Sequence, residues 1–179
     1  LWGEAGLPVY APLDATVFSI QNNDVDRDYG PTIILEHTVT NDLTFYTLFG
    51  HLGNECLENL EEGELIKRGQ QIATIGSPPD NGNWPPHLHF QVILEMLDEK
   101  GDFPGVAFPN EAEVWLSICP DPEVFFPAYR LLRKIKAQVI SSTQGRKTWD
   151  LASVFLMNNL FIWSEVTNNT FMILPEGDF

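Results

Sequence analysis

"HLHFQVIL", residues 87–94, follows the rigid loop "NGNWPP" and alternates with the period of two that a strand uses. Leu88, Phe90, Val92 and Leu94 fall on one face, which reads as core; His87, His89, Gln91 and Ile93 fall on the other. Successive side chains on one strand face stand roughly 7 Å apart, from a rise of about 3.3 Å per residue. Two imidazoles at that spacing can converge on one ion. Alternatively, one can bind the ion while the other works on a water beside it. A bare HxH supplies only two ligands, short of a zinc shell, and is equally a pair of exposed strand histidines.

Around this stretch the chain has the composition of a packed protein. The 179 residues are 44% hydrophobic and 12% aromatic, enough for one domain, with or without an extension. Charge is uneven: residues 1–122 hold 4 Lys/Arg against 20 Asp/Glu, residues 123–179 hold 6 against 5. So acidic a body repels a nucleic-acid backbone and an anionic membrane surface, and suits a cation. No run of 18 apolar residues offers a membrane span, and no secretory apolar segment opens the chain. The first residue is Leu1 rather than Met, which leads to the expectation of a fragment or processed product. Cys56 and Cys119 are too few for a disulfide framework and are expected as free thiols.

The first 94 residues divide into short strands between turns. "LPVYAP" and "LDATVFSI" predict two strands about a proline corner, and "TIILEHTV" with "LTFYTLFGHL" predicts a hairpin. "NLEEGELIKRGQQIATIG" has glycines at 63, 69 and 76 bounding further strands. "DVDRD" lacks the glycine and the distal glutamate of a calcium loop. Many short strands argue a mainly β domain over 1–122. After it, 123–179 reads as an extension that is helical in part, with Leu131, Leu132, Ile135 and Val139 at helical spacing. "TWDLASVFLMNNLFIW" fits a second helix or a buried strand, and Asn168 opens a glycosylation sequon.

A third histidine, His51 in "LFGHL", ends a strand directly after a glycine. Three histidines at strand ends beside Gly/Pro loops can form an open zinc site with imidazoles serving a bound water. No HExxH is present to supply a glutamate base. "GLPVYAPLDATV", "YGPTIILEH", "FYTLFGHL", "GELIKRGQQIATIG" and "WPPHLHFQV" stand in the order and spacing of the M23 family, and the chain resembles its LytM/lysostaphin-like zinc metallopeptidases over residues 5–94. The continuation from "GDFPGVAFP" to "VWLSICPDP" resembles a variant found in multidomain chains beside phosphotransferase-like and class III, pyridoxal-phosphate-dependent aminotransferase domains.

The resemblance implies a LytM-like antiparallel sheet of the duplicated hybrid motif type. It implies His89 as a zinc ligand, with His51 and His87 as catalytic residues flanking the metal-bound water and the scissile carbonyl. Zinc there lowers the pKa of its water and polarises the carbonyl while an imidazole moves the proton. His37 in "LEH" falls on a recurring position read as structural. The other two family ligands are a histidine and an aspartate four residues later, and that aspartate would fall immediately before Leu1. Asp14 belongs to the "APLD" corner and is not the ligand; Glu4 is a poor substitute. The expectation is therefore an M23-like peptidase domain for peptide or peptidoglycan substrates, inactive as residues 1–179. The alternatives are a non-catalytic binding or regulatory module, or an accessory domain fused to or partnering an aminotransferase. The family's usual place is the cell envelope or outside the cell; an aminotransferase fusion would be cytoplasmic.

Overall fold

The structure, a computed structural model, describes residues 1–40 and 43–126. Its centre is a five-stranded antiparallel sheet. The strands are β2 (Ala15–Asn23), β3 (Gly30–Thr40), β4 (Leu43–Gly50), β5 (Leu65–Ile66) and β7 (His89–Ile93), in the order β5-β2-β3-β4-β7. A two-stranded sheet pairs β1 (Pro8–Tyr10) with β6 (Gln71–Thr74). Two short helices, α1 (Cys56–Asn59) and α2 (Ala112–Ile118), and a 3-10 turn at Pro122–Phe125 complete the described part. The mainly β architecture and the β3–β4 hairpin agree with the sequence reading.

β3 explains the architecture. Ile33, Ile34 and Leu35 are consecutive and all fully buried, which requires cover on both faces of the sheet. Ile33 and Leu35 join Val17, Phe49 and Ile66 in a core closed by β1, β6 and α1, through Val9, Cys56, Leu60, Ile72 and Ile75. Ile34, Leu48 and Ile93 point the other way, into a core closed by Met96, Phe103 and Cys119, with Trp115, Leu116 and Ile118 packed against it. Phe103 is fully buried there, worth about 1.5–3 kcal/mol on its own. Cys56 and Cys119 are free thiols in different cores, on opposite faces of the sheet.

β7 corrects the two-faced reading of "HLHFQVIL". Leu88 and Phe90 do pack against the first core and Val92 is buried, but Leu94 is half exposed. On the histidine face, Gln91 and Ile93 are completely buried, because the segment from Met96 to Cys119 folds back over that face. The strand starts at His89; His87 lies before it, in an antiparallel bridge to Trp2. Sequence reading missed α2. Its signal is Trp115, Ile118 and Cys119 at i, i+3 and i+4, inside the continuation that ends in "VWLSICPDP". Beyond it, Phe125 and Phe126 contact Phe90, with ring centroids 5.7 and 5.2 Å away. The expected helix around Leu131–Val139, the apolar stretch 151–163 and the sequon at Asn168 lie outside the described residues.

Candidate active site

Strand register brings the histidines together. In the β4–β7 pairing Gly50 stands opposite His89, so His51, one residue on, emerges beside the HLH segment. Gly50 must be a glycine: a Cβ there would meet the Tyr29 ring at 2.6 Å. His51 itself has φ 60°, the left-handed region that a non-glycine residue enters at a cost of about 1–3 kcal/mol. Two backbone bonds hold it there, from His51 N–H to the Tyr29 carbonyl (2.7 Å) and from Gly76 N–H to the His51 carbonyl (2.8 Å).

The ring centroid of His51 lies 4.3 Å from that of His87 and 6.1 Å from that of His89. The three residues expected to form a site therefore form one cluster. Each ring is oriented by an acceptor. His51 Nδ1 is 2.9 Å from the Asn81 carbonyl, and His87 Nδ1 is 2.7 Å from the Pro85 carbonyl. A carbonyl only accepts, so both Nδ1 atoms carry the proton and both Nε2 atoms keep a lone pair. His89 is held from its other nitrogen: Nε2 lies 3.2 Å from Gln91 Oε1 and 3.4 Å from the Tyr29 hydroxyl. Trp2 packs on His87 at 4.8 Å. The cleft beside the cluster has a volume of about 230 Å³ and is lined by His51, His89, Tyr29, Trp84, Asp102 and Phe103, among others. Arg27 lies over the Trp84 ring at its rim, 5.5 Å from the centroid.

Burial keeps these imidazoles neutral. It pushes His51 down to about 3, helped by repulsion from His87 and His89, and pushes His89 down to about 4. His87 is lowered too, again chiefly by burial, against the Pro85 carbonyl that favours its charged form. Near neutral pH the cluster offers uncharged bases able to take a proton from a water or hold a cation.

A zinc shell is another matter. Among the described residues no three His, Cys, Asp or Glu side chains are grouped so as to hold a metal ion. The described residues by themselves do not complete a zinc shell. Asp14 is far from the role, its carboxylate taken by Lys67 Nζ (3.1 Å) and the Arg68 N–H (2.8 Å), which hold it below the usual carboxylate range. Glu4 is exposed. Sequence reasoning overlooked Tyr29, Asn81, Trp84 and the chemical use of Gln91. For Gln91 the signal was present, since it shares a strand face with the two histidines; Asn81 acts through its backbone carbonyl, which no side-chain pattern reports.

Known proteins resemble the chain over its first hundred residues. The model of peptidase family M23 matches residues 2–100. The peptidoglycan DD-endopeptidase ShyB of Vibrio cholerae is 30% identical over 89 residues, which are 50% of this chain and 18% of that protein. The chain thus spans under a fifth of that relative's length. A zinc-containing peptidase from Vibrio cholerae is 31% identical over 50% of this chain and 24% of its own, with a TM-score of 0.39. The catalytic domain of EnpA, a prophage-encoded M23 protein of Enterococcus faecalis, is 19% identical over 52% of this chain and 63% of its own, with a TM-score of 0.40. The family match covers more than half of the chain and contains all three clustered histidines: the protein belongs to peptidase family M23.

Proposed function

We propose that residues 1–122 are the hydrolytic domain of an M23-type peptidase acting on peptide bonds of the peptidoglycan kind. His51 and His87 handle protons in it, and His89 is a metal donor. The observation that carries this reading is the pair of rings 4.3 Å apart, each tied through Nδ1–H to a backbone carbonyl and each left with an unprotonated Nε2. One such Nε2 can take the proton of an attacking water and then return that same proton to the leaving amine. Family membership supports the reaction class, and ShyB, by its name a peptidoglycan endopeptidase, supports the substrate class.

Residues 1–179 alone are proposed not to hold stoichiometric zinc and not to cleave peptides, because the described donors stop short of the three protein ligands a catalytic zinc site uses. The pairing at Leu1 supports a place for further donors. Leu1 exchanges two backbone bonds with Leu88, both 2.7 Å, and Trp2 bridges His87. The pairing is antiparallel, so a residue joined ahead of Leu1 would run alongside His89. The aminotransferase-accessory alternative gains no support from the cluster or the relatives.

The test extends the chain at Leu1 with a histidine and, four residues later, an aspartate adjoining Leu1. Zinc content and peptide hydrolysis are then measured beside residues 1–179. One bound zinc and cleavage in the extended chain alone is the expected result. Zinc binding without cleavage would favour the binding module, and tight zinc on residues 1–179 would overturn the ligand count.

A further inference from the structure

His89 is held the opposite way round from its two neighbours, and the hydrogen bonds behind it fix where its proton sits. Gln91 is completely buried. Its Nε2 donates to the Pro104 carbonyl (3.1 Å) and to Cys119 Sγ (3.1 Å), which uses both amide hydrogens. Turning the amide over would set Oε1 against the Pro104 carbonyl, two acceptors facing each other in a buried place, at a cost no partner offsets. Gln91 Oε1 must therefore face His89 Nε2, as it does at 3.2 Å. Tyr29 repeats the logic independently. Its hydroxyl donates to the Phe103 carbonyl (3.1 Å), so what it turns toward His89 Nε2, at 3.4 Å, is a lone pair. Two consecutive carbonyls, of Phe103 and Pro104, thus aim two acceptors at one ring nitrogen.

We propose that Tyr29 and Gln91 are positioning residues that lock His89 as the Nε2–H tautomer, leaving its Nδ1 as the free donor of the cluster. The segment Phe103–Pro104–Gly105 is the strap that sets the lock. Asn23 Nδ2 ties its start through the Gly101 carbonyl (3.0 Å). At Gly105 a Cβ would collide with the Tyr29 hydroxyl and come within 3.0 Å of His89 Cε1, so only glycine lets the strap lie this close. The cluster then presents lone pairs from Nε2 of His51, Nε2 of His87 and Nδ1 of His89. This gives the sorting into two proton-handling rings and one metal donor a basis in hydrogen-bond polarity. The proton positions belong to the chain itself; their use toward a metal rests on the function proposed above.

Long-range proton–nitrogen correlation spectra of residues 1–179, labelled with nitrogen-15 at the four histidines, test this directly. His89 is expected as Nε2–H, against Nδ1–H at His51 and His87. The double variant Tyr29→Phe with Gln91→Leu should lower the Nε2–H to Nδ1–H ratio at His89 at least threefold and leave His51 unchanged. A wild-type His89 with its proton on Nδ1 overturns the lock, as does a double variant with an unaltered ratio. If the double variant does not fold, the wild-type spectrum and Tyr29→Phe alone decide. In the chain extended at Leu1, Gln91→Leu should weaken zinc binding by about 10–100-fold. Failure of that extended chain to bind zinc at all would sink the function proposed above and leave the proton positions to the spectra.

Discussion

His37 lies in β3 and His51 one residue past the adjacent strand β4, and they use the same side chain in opposite ways. His37 is 2% exposed, stacks on Phe45 at 4.8 Å and uses both nitrogens. Nδ1–H donates to the Asp14 carbonyl (3.0 Å), and Nε2 accepts from the Thr47 hydroxyl (2.8 Å). Nothing is left over. His51 is almost as buried, yet spends only Nδ1, and its backbone is held in a left-handed conformation that aims the ring into the cleft. A closed hydrogen-bond inventory suits a histidine that belongs to the fold; a spare lone pair beside a cleft leaves one available for chemistry.

The largest effect expected from this contrast is on rate. In a chain extended at Leu1 with an added histidine and aspartate, His51→Ala and His87→Ala should each retain zinc and lose peptide hydrolysis by on the order of 10²–10⁴-fold, the usual worth of an acid–base group. His89→Ala should lose the metal itself, and His37→Ala should keep both metal and rate per folded molecule. Metal content and turnover measured side by side decide it. A His37 variant as slow as the His51 variant would erase the distinction, and metal loss from His87→Ala with retention in His89→Ala would reverse the roles within HLH.

His37 should matter in a different currency. Removing its ring strands the Thr47 hydroxyl and the Asp14 carbonyl and opens a hole beside Phe45. His37→Ala is therefore expected to cost about 2–4 kcal/mol of unfolding free energy in denaturant titration. A cost under half a kcal/mol would mean that the closed inventory is decorative.

The same contrast explains what was legible in the sequence. Strand positions, the hairpin and the meeting of His51 with the HLH segment follow from turn residues and from motif spacing, since antiparallel register turns order along the chain into adjacency. The cover on the histidine face did not show, because Phe103, Trp115 and Cys119 reach back from a Pro/Gly-rich stretch with no strong period of its own. Ring polarity was hidden as well. It is set by the carbonyls of Asn81, Pro85, Phe103 and Pro104, backbone atoms that every residue has and no composition distinguishes. The hydrogen-bond polarity of these rings is thus written in the backbone that surrounds them.

A smaller effect is the pH dependence of stability. Burial holds His37 below its ordinary value, against the Asp14 carbonyl that favours its charged form. The unfolded chain therefore binds the proton first. His37 costs no stability above about pH 6.5; as pH falls below that, stability is lost until the folded value is passed, at up to about 1.4 kcal/mol per pH unit per proton. His51, held at about 3, pulls in the same direction over a longer range. Urea midpoints from pH 7 to pH 4 should fall, and His37→Phe should flatten the slope by up to one proton. An unchanged slope in that variant would show that His37 titrates normally.

The smallest expected effect isolates the backbone at position 51 from its imidazole. Both His51→Ala and His51→Gly delete the ring, its bond to Asn81 and its contact with His87, so whatever those contribute is lost equally. What differs is φ. At 60°, a Cβ is strained and glycine is not, while glycine gains more freedom in the unfolded chain. The first effect is set by local sterics at about 1–3 kcal/mol and the second opposes it by about 0.5–1 kcal/mol. His51→Gly should thus be the more stable of the two by on the order of 1 kcal/mol, although the smaller residue is ordinarily the worse choice near a strand end. Denaturant unfolding of the pair measures the difference directly. If alanine proves equal or better, the left-handed turn is not held against strain, and the aim of His51 into the cleft would have to come from its ring contacts alone.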